Sequence, residues 1–212
     1  MNIPDTLPTL SAGAHEAGAR QVCAMEAAAW LANEKHFDKP ECVHPAIAEF
    51  ARRCNDASTD AERQTLWPLI LRSMGTASDD HVLNVRLAIW CATQVLPEFE
   101  SRFPNDDRPR KAIEAAEPWA DCPCDEHRNA ARYAVGPYPA WSAAAYVAYA
   151  AANAAYVAAY VAYAAAYATN AVVCARRREL WTGLLDEYDR LTGRTVTEPT
   201  AEDWTRLEEY AR

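Results

Sequence analysis

Steps of three and four residues through the second half of the chain land on one seam: Tyr146, Tyr149, Asn153, Tyr156, Tyr160, Tyr163, Tyr167, Asn170, Cys174, Arg177, Trp181, Leu184, Tyr188 and Leu191. The first half of that seam is set in alanine. This spacing places every named side chain on one face of an α-helix. The pattern therefore predicts a long Ala/Tyr-rich helix over residues 140–192. A continuous helix over residues 146–191 would be roughly 70 Å long at about 1.5 Å per residue, longer than a compact domain of this mass is wide. A break near residues 169–170, or at Gly183, would fold it back on itself, and a break is the expectation.

Earlier segments also carry helical spacing. A first helix is predicted over residues 13–33, with Val22, Met25, Ala29 and Ala32 facing inward. Pro45 suits the first turn of a second helix that buries Ile47, Phe50, Ala51 and Cys54. Thr59 and Glu62 have capping-box spacing, Pro68 marks a kink or restart, and Gly75 suits a C-cap. A fourth helix starts near Ser78, with Asp79 and Asp80 complementing its dipole, and Pro97 should end or bend it. Asp106 or Asp107 then caps a helix with Pro109 in its first turn, ended by Pro118. Residues 120–141 read as irregular, and a last helix runs from Thr200 to Tyr210. Six glycines leave little punctuation for hairpins. The fold class that follows is all-α, a multi-helix bundle with one long Ala/Tyr-rich heptad helix and no sheet of consequence. Residues 1–75 read as an N-terminal helical module and 76–212 as a second helical region, the two able to pack as a single domain.

Composition narrows the classes. The uncharged stretches 143–152 and 154–168 imitate a membrane span, yet their tyrosine hydroxyls, with Asn153 and Asn170 nearby, would need partners in lipid; no span is expected. The N-terminus has no basic flank before an apolar run, as a secretory signal would. Seven cysteines, an odd number, suit reduced thiols and a cytoplasmic location better than a disulfide framework. A formal net charge of −9 argues against non-specific nucleic-acid binding. It matches a basic protein partner, and equally a mildly acidic surface that keeps the protein in solution.

Three groups of residues carry candidate chemistry. Tyr146, Tyr149, Tyr156, Tyr160, Tyr163 and Tyr167 either fill space between helices, form a partner-binding face, or make the seam of a homo-oligomer. Asp107, Arg108, Arg110 and Lys111 combine a helix cap with forked and point-charge donors. They would hold helices together through local ion pairs, or bind a partner, a nucleotide or another anion at a helix N-terminus. Cys122, Cys124 and His127 invite a zinc reading, with Cys42 and His44 as a second pair, although one residue between cysteines is atypical for zinc; loose loop thiols are the simpler account. His36, Asp38 and His44 share one loop and are a further, weaker metal candidate. No nucleophile elbow, phosphate-binding loop or dinucleotide fingerprint occurs. Neither an enzyme nor a cofactor is expected.

The run RLAIWCATQVLPEFE over residues 86–100, followed by DDRPRKAIEAA over 106–116, resembles the all-α immunity proteins encoded in bacterial polymorphic toxin systems. Their pattern is an apolar helix ending in Leu-Pro-x-Phe-Glu, then Asp-Asp-Arg-Pro-Arg, then an alanine-rich helix. The resemblance covers about residues 80–190 and implies an all-helical fold that neutralises a toxin by direct contact. It also implies roles for Asp107, Arg108 and Arg110. Residues 20–75 resemble a module found in uncharacterised proteins of bacteria and their phages. The expectation is a protein-binding module; a small-anion binder of a mobile element and a structural homo-oligomer are the alternatives.

Overall fold

The N-terminal segment departs from the helix that its spacing predicts. In the computed structural model, which describes residues 7–17, 21–135, 174–196, 200–202 and 204–205, strand β1 (Thr9–Leu10) pairs in parallel with β2 (Gln21–Val22). Helix α1 begins only afterwards, at Ala24–Leu31. Its start is fixed by a capping box: Cys23 Sγ accepts from the Glu26 N–H at 3.4 Å, and the Glu26 carboxylate accepts from the Cys23 N–H at 2.7 Å. Glu26 also accepts from the His15 N–H at 2.7 Å and lies 2.9 Å from His15 Nδ1. Burial pushes the Glu26 pKa up, but the hydrogen bonds from Cys23 and His15 outweigh it and hold the carboxyl below its ordinary value. These bonds commit the backbone at Cys23 and His15, so no helix forms across them. Asn33, in the left-handed region at φ 59°, follows the C-terminal end of α1.

Helix α2 (Pro45–Ala57) buries Ile47, Phe50, Ala51 and Cys54, as the amphipathic spacing predicts. Thr59 and Glu62 form the expected capping box on α3 (Asp60–Arg63). A 3₁₀ turn (Gln64–Leu66) leads into α4 (Trp67–Ser73), with Pro68 in its first turn. Asp80 caps α5 (His81–Arg102) by accepting from the Val82 and Leu83 N–H groups at 2.8 and 3.2 Å. That helix runs through Pro97 instead of ending there. Pro97 and Thr93 are both exposed, so the carbonyl that proline strips of its helical donor lies where water can reach it. Helix α6 (Arg108–Asp121) passes Pro118 in the same way, also at an exposed position. Helix α7 (Asp125–Val135) occupies chain expected to be irregular, with Asp125 and Glu126 in its first turn on the favourable side of the dipole.

Helix α8 (Cys174–Thr192) is the described part of the heptad seam, and it runs through Gly183 without a break. Trp181, Leu184 and Leu185 are fully buried and Tyr188 nearly so. Gly183 serves contact instead of bending: a Cβ there would lie 2.9 Å from Trp90 Cζ2 and 3.2 Å from Cη2. Gly→Ala in a helix interior normally gains up to about 1 kcal/mol. Here the sign should reverse, with Gly183→Ala losing about 1–2 kcal/mol through overpacking. Urea unfolding measures this; a stabilised variant would mean that the Trp90 ring moves aside freely. Tyr146, Tyr149, Tyr156, Tyr160, Tyr163 and Tyr167 lie outside the described residues, as do residues 169–170.

Helix α8 packs against α2, α4 and α5. Arg72 ties it to α4 through Asp186 at 2.6 Å and Asp189 at 2.7 Å, and Arg194 meets Asp189 at 3.2 Å. One apolar core draws on residues from Leu10 to Tyr188 and spans both sides of residue 75. A buried polar chain crosses it. Trp181 Nε1 donates to Ser73 Oγ at 3.0 Å, and Ser73 Oγ donates to the Leu69 carbonyl at 2.7 Å. Thr76 Oγ1 donates to the Ser73 carbonyl at 2.6 Å and accepts from the His44 N–H at 3.0 Å. His44 caps α2 by accepting at Nδ1 from the Ala46 N–H at 3.2 Å, so Nε2 carries the proton donated to Asn84 Oδ1 at 2.8 Å. Beyond α8, the Trp204 N–H meets the Thr200 carbonyl at 3.3 Å, the start of the last predicted helix; Tyr210 lies outside the described residues. Among the described residues no helix is long and apolar enough to cross a membrane.

Candidate functional site

The Asp-Asp-Arg-Pro-Arg motif sits on an exposed corner between α5 and α6. Asp106 accepts from the Arg108 N–H at 3.2 Å and from Arg108 Nε at 2.7 Å; these contacts hold its carboxyl below the ordinary range. Arg110 makes a two-pronged pair with Glu100 at 2.8 and 2.7 Å, and Lys111 meets Asp107 at 2.8 Å. Asp107 stands at the N-cap without making a side-chain cap bond. The three cations thus face three carboxylates, and the six formal charges cancel. No positive surplus is left to attract a phosphate. Each pair is solvent-exposed and worth no more than about 1 kcal/mol, so a partner's charged groups could replace it at little cost.

At the other end of α6 the chain turns sharply. The Cys124 N–H donates to the Cys122 carbonyl at 2.7 Å across Pro123, a three-residue turn whose centre suits the fixed φ of proline. His127 Nδ1 donates to the same carbonyl at 3.0 Å. The two sulfurs and a ring nitrogen of His127 come within 4.8 Å of one another. The Cys124 thiol, by hydrogen bond and by charge, pushes the Cys122 thiol above its ordinary pKa. The other described metal candidates do not assemble. His44 is buried against Asn84, His36 Nε2 donates to the His15 carbonyl at 2.8 Å, and Arg52 engages the Asp38 carbonyl at 2.8 Å. Burial pushes the half-buried Cys42 thiol up to about 12.

Beside the C-terminal part of α6, residues of α5, α6 and α8 line an open groove of about 370 Å³. Ile89, Trp90 and Leu191, each half-buried, give it an apolar surface, and Glu117, Asp121 and Glu187 line it with carboxylates. Arg86 reaches Asp121 at 2.9 Å and the Ala120 carbonyl at 3.0 Å. Arg190 takes Glu187 at 2.6 Å. Glu117 has no ion-pair partner among the described residues. Sequence spacing did not single out this groove, because its walls come from segments about 30 and 70 residues apart. The close approach of Gly183 to Trp90 was its one trace, and in sequence that glycine reads as a helix breaker. No protein-family model matches the chain, and no curated protein or solved structure matches it either.

Proposed function

We propose that the protein is a binding module that takes a basic segment of a partner protein into the groove between α5, α6 and α8, and that it acts by contact and not by catalysis. The observation that carries this reading is the groove itself, which combines a half-buried tryptophan with a carboxylate border. Tryptophan in a partly enclosed pocket is the residue type that most often dominates binding energy. Glu117, which has no ion-pair partner among the described residues, leaves the border with a negative surplus after Asp121 and Glu187 have met Arg86 and Arg190. On a chain of net charge −9 that surplus favours encounter with a basic surface. The resemblance over residues 80–190 names the kind of partner: a toxin encoded beside this gene, which the module neutralises in the cytoplasm. The exposed pairs at Asp107, Arg108, Arg110 and Lys111 would then exchange with charges on that toxin. A nucleotide at the same corner would instead have to displace Glu100, Asp106 and Asp107.

Co-expression with the toxin encoded by the neighbouring gene tests this. A stable complex and loss of toxicity are expected, with Trp90→Ala weakening binding by at least about 2 kcal/mol, roughly thirtyfold. Failure to form a complex or to protect would end the immunity reading. A complex indifferent to both Trp90→Ala and Glu117→Lys would move the interface away from the groove.

A further inference from the structure

We propose that Cys122, Cys124 and His127 bind a thiophilic d10 cation, zinc(II) foremost, through two thiolates and one imidazole, with a fourth position open to water. This goes beyond the docking reading and does not rest on it. Three observations carry it. First, the three ligand atoms already lie within 4.8 Å of one another. Tetrahedral zinc with Zn–S near 2.3 Å and Zn–N near 2.0 Å spaces its ligand atoms about 3.5–3.8 Å apart, so the two sulfurs and the His127 ring are already gathered on the scale of a zinc site. Second, the turn is rigid where it needs to be: Pro123 and the 2.7 Å bond from Cys124 to the Cys122 carbonyl hold the two cysteines together.

Third, the hydrogen bond from His127 Nδ1 to the Cys122 carbonyl, 3.0 Å, is of the kind that orients metal-ligating histidines. It leaves the lone pair on Nε2. The donor set decides the ion. Two soft sulfurs and one imidazole suit zinc(II) or copper(I) and do not suit magnesium or calcium, which take oxygen ligands. Two neighbouring thiolates repel each other, and a bound cation converts that repulsion into attraction. Binding zinc(II) to the two neutral thiols forms two Zn–S bonds and releases two protons to solvent, with no change of oxidation state.

The test uses the full chain, purified reduced and stripped of metal by chelation, then titrated with cobalt(II). One equivalent should produce sulfur-to-cobalt charge-transfer absorption and the d–d bands of tetrahedral cobalt, both removed by added zinc(II). Cys122→Ser, Cys124→Ser and His127→Asn should each weaken binding at least about tenfold. Their circular dichroism should match the parent's, because the three side chains are exposed or half-exposed. Two protons should be released per zinc. The assignment is overturned if the parent develops no charge-transfer band, or if the Cys122→Ser/Cys124→Ser double variant binds cobalt as tightly as the parent.

Discussion

Trp181→Ala should cost about 3–5 kcal/mol of stability, a large share of what a domain of this size has to lose. The indole is completely buried and lies on the helix that packs against α2, α4 and α5. Removing it leaves a cavity that three helices would have to shift together to fill. It also takes the donor away from Ser73 Oγ, 3.0 Å distant. That hydroxyl keeps its own bond to the Leu69 carbonyl, so the cavity and not the lost hydrogen bond accounts for most of the loss. Trp181→Phe, which keeps most of the volume but no donor, should cost less than half as much. Urea unfolding followed by far-ultraviolet circular dichroism gives both numbers; an alanine variant within about 1 kcal/mol of the parent would mean that α8 is not a core helix.

The second large effect is a loss of stability on mild acidification, centred on His44. Burial pushes its pKa down to about 4 from an ordinary 6.5, against the opposing effect of the hydrogen bond to Asn84. The imidazole is therefore neutral in the folded chain, where Nδ1 must stay unprotonated to cap α2, and it takes up a proton readily once unfolded. The unfolded state binds the extra proton between pH 6.5 and about 4, so stability is complete above that window and falls as pH falls through it. The full loss is about 3 kcal/mol, because each tenfold difference in proton affinity between the folded and unfolded chain is worth about 1.36 kcal/mol. Glu26, held below its ordinary value, adds a loss of the same sign only at more acid pH. Unfolding free energies of the parent and of His44→Gln, measured near neutrality and again at a pH just above the folded pKa of His44, separate the two. The variant should start less stable and lose less between them; parallel losses would remove His44 as the cause.

How far the sequence reveals this fold depends on the kind of signal. Pro45, the Thr59–Glu62 box and the periodicity of α2 are local, and each holds in the structure. The caps at Cys23 and His44 were invisible because neither residue type ordinarily caps: Cys23 does so in a local box with Glu26, and His44 is held in place by Thr76 and Asn84, distant in sequence. Pro97 and Pro118 read as stops because a sequence does not reveal which face of a helix is wet. Each sits on an exposed face, where the missing hydrogen bond is tolerable. The irregular reading of α7 followed from the prolines around it. Gly183 failed for a related reason, since permissive backbone and close approach leave the same letter in the chain. At the candidate sites, the motif at residues 106–111 was legible as a helix cap with local ion pairs, which Asp106–Arg108 and Asp107–Lys111 make; the pairing of Arg110 with Glu100 on the preceding helix was not. The groove, built from three separated helices, could not be read at all.

The position of α8 in the chain order has a consequence for biogenesis. It supplies Trp181, Leu184 and Leu185 to a core whose other described helices all lie before residue 136, and its ties to Ser73 and Arg72 close loops of more than 100 residues. A ribosome making this protein therefore exposes the inner faces of α2, α4 and α5 long before the helix that covers them has emerged. Contacts this distant in sequence slow folding, and an uncovered apolar face in the meantime invites capture by a chaperone or by another nascent chain. Yield in the cell should thus depend on how quickly residues 174–192 follow the rest, a vulnerability that the finished fold conceals.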